Sequence, residues 1–135
     1  MDKISKELRS FNMSRIKSVN TKPEQIVKKY LYSKGVRYRC NNLKLPGKPD
    51  ISNIKYRLAL DVHGCFWHGH QNCRNFRLPK TNTVFWKNKI FKNIERDERN
   101  RKLLTERDFV YMVIWECEIK SNNFDILDQF TLLYK

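Results

Sequence analysis

The thirteen residues from Asp61 to Cys73 hold most of the side chains in this chain that could do chemistry. They comprise two cysteines, three histidines, one aspartate and the aromatic pair Phe66–Trp67, separated mainly by small or polar residues. Zinc in proteins is usually bound by four ligands drawn from thiolates and imidazoles. Since such residues have few other reasons to gather in one polar loop, the stretch predicts a metal site.

Cys65, His70 and Cys73 are close enough in sequence to share one ion, because closing so short a loop costs little entropy. Cys117 is the best candidate for the fourth ligand, since it follows directly after an apolar run that predicts a strand. The alternative for any one cysteine is a small buried apolar residue, which suits Cys40 better than the loop cysteines. Disulfides are disfavoured, because an intracellular compartment keeps thiols reduced. We therefore expect a structural zinc site.

A second group combines the carboxylates of Asp50 and Asp61 with the histidines that zinc would not use, His63 and His68. Magnesium prefers oxygen ligands, and it assists phosphodiester cleavage by stabilising negative charge and acidifying a water. Histidine is suited to act as the general base near neutral pH. The alternative for Asp50 is an ordinary carboxylate at a strand end after proline, and for Asp61 a solvated strand position. Sequence spacing alone leaves these alternatives open.

The chain is strongly basic, with 28 Lys and Arg residues against 14 acidic residues and a formal net charge of +14. Such a surplus fits nucleic acid, an acidic membrane surface or an acidic protein as the partner. The longest apolar run, Phe109 to Trp115, is too short to cross a membrane, and the N-terminus lacks the apolar core of a signal peptide. We therefore expect a cytoplasmic protein that binds nucleic acid.

Three aromatic residues near the predicted sites could contact bases directly. Phe66 and Trp67 belong to the polar loop, and Trp86 begins a long basic helix. Exposed rings beside positive charge can stack on bases or wedge between them. An ordinary place in the core is an equally good interpretation for Trp86 alone, whereas the position of Phe66–Trp67 between Cys65 and His68 favours a role in binding.

The elements that would position these residues alternate between helix and strand. Thr21 and Glu24 form a potential capping box for a first helix that Gly35 ends. Thr81 or Asn82 could cap a long helix that runs to about Glu106. Strands are predicted over Val36–Cys40, Asp50–Ile54, Tyr56–Val62 and Phe109–Trp115, the last of them buried, and a closing helix over Phe124–Leu133. The predicted fold class is α/β, with a mixed central sheet flanked by helices.

Five motifs follow one another along the chain: Leu45–Asp50, Val62–His70, Leu78–Trp86, Lys92–Asp97 and Val113–Cys117. Together they resemble the very short patch repair (Vsr) DNA mismatch endonucleases, over residues from about 12 to 118. That family is similar in fold to type II restriction endonucleases. It nicks DNA on the 5′ side of the thymine in T:G mismatches, which arise when 5-methylcytosine deaminates, and its usual companion is a cytosine-5 DNA methyltransferase. A bacterial or phage source is implied.

The resemblance implies catalytic roles for particular positions. Asp50 would hold catalytic Mg²⁺, with the backbone carbonyl of Val62 as a second ligand. His68 would be the general base, and His63 would assist through metal-bound water. The resemblance also implies the same zinc ligands that the spacing predicts. Two supporting active-site residues, carried over from the family pattern, are Glu24 and Asp97.

DNA contacts are implied at six positions. A wedge of three rings would enter the base stack beside the mismatch from the major groove, and one N-terminal side chain would enter from the minor groove. Two residues of the long helix would read the mismatched pair. The six residues, in that order, are Phe66, Trp67 and Trp86, then Met13, then Lys89 and Asn93.

This chain departs from the family pattern at two places. Gln71–Asn72 lengthens the spacing inside the zinc loop, which predicts a differently shaped loop. Asp61 completes a pattern close to the Pro-Asp…Asp/Glu-x-Lys signature of restriction enzymes, with His63 in place of the lysine. Asp61 is therefore either an additional magnesium ligand or merely a neighbour of the site.

The resulting expectation is a magnesium-dependent, mismatch-directed DNA nickase, monomeric on DNA. A single domain would span residues 1–135, with residues 1–19 contacting DNA. One alternative is a restriction-type endonuclease that acts on unmismatched duplex. Another is a non-catalytic DNA-binding module stapled by zinc, which would have no use for Asp50.

Overall fold

The computed structural model describes residues 21–74 and 76–134, so Met13 and the predicted DNA-contacting segment 1–19 lie outside the described residues. The observed elements follow the predicted order α, β, β, β, α, β, α, with one additional short helix after the last strand. They are α1 (Lys22–Ser33), β1 (Arg39–Cys40), β2 (Ile51–Asn53), β3 (Leu58–His63), α2 (Thr83–Glu106), β4 (Val110–Trp115), α3 (Glu116–Lys120) and α4 (Asp125–Leu133).

The four strands form one mixed sheet in the order β1-β2-β3-β4, which confirms the predicted α/β class. β1 pairs with β2, and β2 with β3, in antiparallel fashion, whereas β3 and β4 are parallel. Leu60 lies opposite Ile51 on one side and Met112 on the other. A parallel pair needs a crossover connection, and the segment that contains α2 provides it. β3 is therefore an interior strand, and the functional loop follows its last residue.

Side chains of β3 alternate between two unequal cores. Leu58 and Leu60 join a buried cluster with residues of α1, α3 and α4, whereas Ala59 packs with Leu104 of α2 in a smaller cluster. Since alternate strand residues share a face, Asp61 lies on the same side of the sheet as Ala59. The small core under α2 leaves room on that face for a polar site. None of the described helices is both long enough and apolar enough to cross a bilayer.

The observed β2 and β3 lie within two residues of the predicted Asp50–Ile54 and Tyr56–Val62, whereas the other two predicted strands differ more. The segment Val36–Cys40 forms a strand only at Arg39–Cys40. β4 has the predicted location, but the prediction that it is buried was wrong, because only Ile114 is fully buried and Val110 is 43% exposed. The physical reason is topology: β4 is an edge strand of the sheet, so a continuous apolar run is only half covered.

The first helix begins as predicted, and the long helix does not. The Glu24 N–H donates to Thr21 Oγ1 at 3.4 Å, which caps α1. Asn82 occupies the position before α2, but its backbone is left-handed (φ 56°) and its side chain makes no capping hydrogen bond. Instead, Thr83 Oγ1 donates to the carbonyl of Pro79 at 2.8 Å. The helix nevertheless ends at Glu106, where the sequence predicted it.

Candidate active site and metal centre

Asp50 and Asp61 are cross-linked where backbone pairing between β2 and β3 ends. The last paired residues are Ile51 and Leu60. Beyond them, the Asp50 N–H donates to Asp61 Oδ1 at 2.9 Å, and the Val62 N–H donates to Asp50 Oδ2 at 2.8 Å. Two carboxylates thus replace the missing carbonyl acceptors of the ladder. Both acids are held rigidly at one end of the sheet.

The same geometry orients the backbone carbonyl of Val62. In a strand, the N–H and C=O of one residue point to the same side. Because the Val62 N–H points to Asp50, its carbonyl also faces the side that β2 leaves open. A carboxylate and a carbonyl oxygen therefore border the same gap, and oxygen ligands of this kind suit a hard divalent cation.

Burial and mutual repulsion separate the pKa values of the two acids. Burial, followed by the negative charge of Asp61, raises the pKa of Asp50 to about 7. Burial alone would raise the pKa of Asp61, but the nearby His63 ring and hydrogen bonds from Tyr111 and the Asp50 N–H outweigh it and leave that pKa below 3.8. The negative charge of the metal-free pair therefore resides on Asp61, and Asp50 binds a proton near neutral pH.

Tyr111 is a site residue that sequence reasoning missed. Its hydroxyl donates to Asp61 Oδ2 at 2.6 Å, and burial together with the charge of Asp61 raises the pKa of Tyr111. It lies in the apolar run of β4, where a tyrosine is ordinarily a packing residue. Only the pairing of β4 with β3, which sequence spacing does not reveal, brings it to the site.

His63 and His68 form a stacked pair beside the acids. Their ring centroids lie 3.8 Å apart, and the rings are within 4° of parallel. His68 Nδ1 makes a 2.6 Å hydrogen bond with Asp97 Oδ2, and His63 Nε2 lies 3.8 Å from Asp61 Oδ2. Each imidazole therefore has its own carboxylate, which fixes its orientation. His68 comes from the loop after β3 and Asp97 from α2.

The predicted catalytic side chains converge on one cavity of about 550 Å³. Glu24 is only 3% exposed and lines this cavity, so its predicted place in a capping box accounts for its backbone alone. The structure brings all of the following predicted residues to the cavity wall: Glu24, Asp50, Asp61, Val62, His63, His68 and Asp97. Further polar lining residues, which sequence reasoning missed, are Asn41, Lys48, Arg96, Asn100 and Tyr111.

A second cluster contains the four predicted zinc ligands. One potential ligand atom from each of Cys65, His70, Cys73 and Cys117 lies within 4.8 Å of the others. Cys117 Sγ is 3.6 Å from His70 Nδ1. Cys117 follows β4 inside α3, so the cluster joins the loop after β3 to the end of the neighbouring strand. All four cysteines of the chain are free thiols, and Cys40 is exposed rather than buried as the sequence suggested.

The electrostatics of this cluster favour a bound divalent cation. Burial and the neighbouring thiols Cys117 and Cys73 raise the pKa of Cys65 to about 12, and burial raises that of Cys117. Burial lowers the pKa of His70, which favours the neutral imidazole that a metal needs. Cys65 and Cys117, whose thiols resist ionisation individually, would be stabilised as thiolates by a shared dication. The donor set matches a closed, tetrahedral zinc site.

Packing around the zinc loop relies on two residues not predicted as site residues. The His70 ring stacks on Trp115 with centroids 3.9 Å apart and planes within 5° of parallel. Gly69 has φ +60°, and a Cβ atom there would lie 2.7 Å from Ile94 Cδ1. The loop therefore approaches α2 closely only because position 69 has no side chain. Both contacts hold His70 in place.

The predicted base-contacting rings form an aromatic cluster at the surface. The Phe66 ring centroid lies 5.2 Å from that of Trp67 and 5.6 Å from that of Trp86, and the two tryptophans are 5.8 Å apart. Trp67 is 37% exposed. Phe85, which was not predicted, contacts Trp86 and is 59% exposed. Asn93 Nδ2 donates to the Trp67 carbonyl at 2.9 Å. The edge of this cluster is open to a partner.

The basic helix α2 runs beside the aromatic cluster. Its predicted mismatch-reading residues, Lys89 and Asn93, are one turn apart, and Lys89 is exposed. Only Ile90 and Leu104 of this helix are buried. Most of its surface, which is rich in Lys and Arg, is therefore available to phosphates near the rings.

Sequence comparison relates the chain to bacterial DNA-cutting enzymes. Residues 1–75 match the family model described as "DNA mismatch endonuclease Vsr". A "Type II nicking enzyme V.NmeAIP" of Neisseria meningitidis is 49% identical over 113 residues, which cover 84% of this chain and 80% of that protein. "Type II nicking enzyme V.XorIIP" of Xanthomonas oryzae is 43% identical over 120 residues, covering 89% and 88% of the two chains. "DNA mismatch endonuclease Vsr" of Escherichia coli K12 is 39% identical over 116 residues, covering 86% and 74%.

Proposed function

Because this chain belongs to the DNA mismatch endonuclease Vsr family, we propose that it nicks duplex DNA on the 5′ side of the thymine in a T:G mismatch, with magnesium as cofactor. That it is a DNA-nicking endonuclease of this family follows from its relatives, whereas the mismatch and the metal are our proposals. One observation carries the metal-assisted cleavage: the His68–Asp97 pair and the Asp50–Val62 edge line the same cavity. The mismatch as substrate rests on the family alone.

Magnesium would be held by Asp50 and the Val62 carbonyl, with Asp61 beside them. Asp50 Oδ2 is fixed by the Val62 N–H, so the carboxylate presents its other oxygen in a defined direction. When bound, the ion neutralises charge on the scissile phosphate and acidifies a coordinated water. The charge of the ion would also favour the ionised form of Asp50. Without the ion, the raised pKa of about 7 lets this carboxyl keep a proton near neutral pH.

His68 would act as the general base. Its Nδ1 is engaged by Asp97, so its Nε2 is the nitrogen free to accept a proton from the attacking water. In this step the water oxygen would bond to phosphorus as the bond to the leaving ribose oxygen breaks. The proton of the water would go to His68, and the leaving ribose oxygen would take a proton from solvent. His63, stacked on His68 and next to Asp61, would position metal-bound water, while Glu24 supports the site from α1.

The Cys65, His70, Cys73 and Cys117 cluster would hold a structural zinc ion. It ties the loop that carries His68 to α3, so the general base and the ring cluster share one support. Zinc therefore contributes to catalysis only by holding this loop.

DNA would bind across the aromatic cluster and α2. The rings of Phe66, Trp67 and Trp86 would wedge beside the mismatch, and Lys89 and Asn93 would contact the mismatched pair. The net charge of +14 supplies phosphate contacts. We further propose that residues 1–19, with Met13, reach the minor groove, that the enzyme acts as a single-domain monomer, and that it accompanies a cytosine-5 methyltransferase.

The test compares duplexes that differ at one base pair, T:G or T:A, each with magnesium or with a chelator. We expect nicking of T:G alone, in magnesium alone, at a single position 5′ of the thymine. Equal cutting of both duplexes would establish the restriction-type alternative. Binding without cutting in every condition would establish the non-catalytic module. Asp108→Asn, an exposed acid paired with Arg57 on the surface, serves as the control variant and should nick normally.

A further inference from the structure

His63, His68 and Asp97 form a second compact group of metal-binding side chains. One potential ligand atom from each lies within 4.8 Å of the other two. In a tetrahedral site with metal–nitrogen distances near 2.0–2.1 Å, ligand atoms are roughly 3.4 Å apart, so modest ring rotations would close the group around an ion. None of the three belongs to the cysteine cluster.

The group stands at the junction of two cavities. The same three residues line the active-site cavity of about 550 Å³ and a second cavity of about 340 Å³. The second cavity lies between α2 and β4, where Ile94 and Val113 contribute to its wall. An ion could therefore reach the group through this second opening while DNA covers the first.

We propose that His63, His68 and Asp97 constitute an inhibitory site for a borderline divalent metal ion such as Zn²⁺, Co²⁺ or Ni²⁺. Two imidazoles and one carboxylate suit these ions, whereas Mg²⁺ prefers oxygen ligands throughout. Asp61, 3.8 Å from His63 Nε2, adds a carboxylate that both orients the ring and supplies negative charge. The ligand set thus differs from that of the magnesium position, Asp50 and the Val62 carbonyl, and from that of the cysteine cluster.

Metal binding at this site would stop the nuclease, an inference that rests on the proposed function. A neutral imidazole has one nitrogen lone pair for either a metal or a proton, so His68 bound to the metal through either nitrogen could not accept a proton from water. Since general base catalysis typically contributes about 10²- to 10⁴-fold, nicking should fall by about 100-fold or more. The enzyme would then be active only where free zinc is scarce enough to leave His68 uncoordinated.

Binding is tested on the whole protein with zinc already at the cysteine cluster. Co²⁺ is added without magnesium, and uptake is measured by calorimetry and visible absorption. We expect about one further ion per chain, with d–d bands but no thiolate charge-transfer band. Asp97→Asn and His68→Gln should each abolish this uptake, whereas Glu95→Gln, at an exposed acid of α2 that lines neither cavity, should retain it. Absence of the further ion, or its persistence in both variants, would overturn the proposal.

Inhibition is then measured at saturating magnesium with Zn²⁺ added to fill the second site. We expect a loss of nicking of about 100-fold, reversed when a chelator of suitable strength removes only the added zinc. Unchanged nicking with the second ion bound would contradict the inhibitory role. Second-ion uptake by a protein that never nicks would sink the proposed function and leave the metal-binding part intact. Magnesium-dependent nicking by a protein that takes up no second ion would overturn the inhibitory site and leave the proposed function intact.

Discussion

At the scale of single residues, the site depends on a short chain of hydrogen bonds that begins on β4. Tyr111 donates to Asp61, Asp61 accepts from the Asp50 N–H, and Asp50 accepts from the Val62 N–H. Each bond fixes the next group. The proposed magnesium ligands are therefore positioned by a residue that would not itself touch the metal or the DNA.

Replacing Tyr111 by phenylalanine removes only the hydroxyl at the start of this chain. Hydrogen bonds to charged groups contribute about 1.5–3 kcal/mol, so the magnesium concentration for half-maximal nicking should rise about tenfold or more. DNA affinity in a chelator should not change. Tyr56→Phe, on the opposite face of the sheet, is the matched control and should behave as the parent does. An unaltered magnesium dependence in Tyr111→Phe would contradict this positioning role.

The raised pKa of Asp50 makes stability depend on pH. The folded state binds a proton at this carboxyl with a pKa of about 7, against an ordinary value of 3.8. Protonated Asp50 is thus favoured by folding, and its contribution is lost as pH rises from about 4 through 7. In metal-free protein, the stability of Asp50→Asn relative to the parent should therefore rise across this interval and level off above it, with a total gain of about 4 kcal/mol by pH 8, measured by urea unfolding. A difference that is constant with pH would show that Asp50 titrates normally.

Sequence could predict which residue types take part, but not all of their contacts. The residues of the cysteine cluster and the two histidines of the active site can be recognised from their residue types and their spacing in the sequence. Tyr111 and Trp115 cannot, because a tyrosine or tryptophan in an apolar strand ordinarily packs in the core. Cys40 was misjudged for a related reason: alternation of its neighbours predicted burial, whereas β1 is a two-residue edge strand.

At the scale of elements, the loop between β3 and α2 is the functional segment. It is fixed by the cysteine cluster and, at Gly69, by close packing on α2. Its helical and strand neighbours were predictable from periodicity. Their boundaries and burial were harder to predict. The exposure of β4 depends on its place at the edge of the sheet, and the start of α2 depends on the left-handed backbone of Asn82.

Removing one thiol tests whether the cysteine cluster holds the loop between β3 and α2. Cys117→Ala should reduce zinc from about one ion per chain to nearly none and lower Tm by on the order of 10 °C. Cys40→Ala removes an exposed thiol outside the cluster and should leave both quantities unchanged. Equal zinc content in the two variants, measured by metal analysis, would be incompatible with a Cys3His site.

A comparison of two glycines tests whether the close packing of the loop on α2 contributes to stability. Gly69 and Gly35 both have positive φ, but only at Gly69 would a Cβ atom collide with a neighbour, Ile94 Cδ1 at 2.7 Å. Gly69→Ala should therefore destabilise by about 1–3 kcal/mol more than Gly35→Ala, which bears backbone strain alone. Denaturant unfolding of the two variants gives this difference. Equal losses would mean that the loop does not need to approach α2 closely.

At the scale of the whole molecule, three layers bring distant parts of the chain to one cavity. α1 contributes Glu24, the sheet contributes Asp50 and His63, and α2 contributes Asp97. The motif order allowed the family and the α/β class to be predicted. The paired cavities that meet at the histidines could not be, because they arise from how α2 lies over β4.

The most direct test is the single-turnover rate of nicking of a T:G duplex by the parent and by Asp50→Asn, at saturating protein and magnesium. Loss of the carboxylate should lower the rate by about 1,000-fold or more, because metal-ion assistance contributes several kcal/mol to such a reaction. Binding of the duplex should remain within about twofold, as Asp50 lies inside the cavity rather than on the aromatic and basic surface. A variant that nicks at a rate close to that of the parent would contradict the assignment of Asp50 as the metal-holding residue.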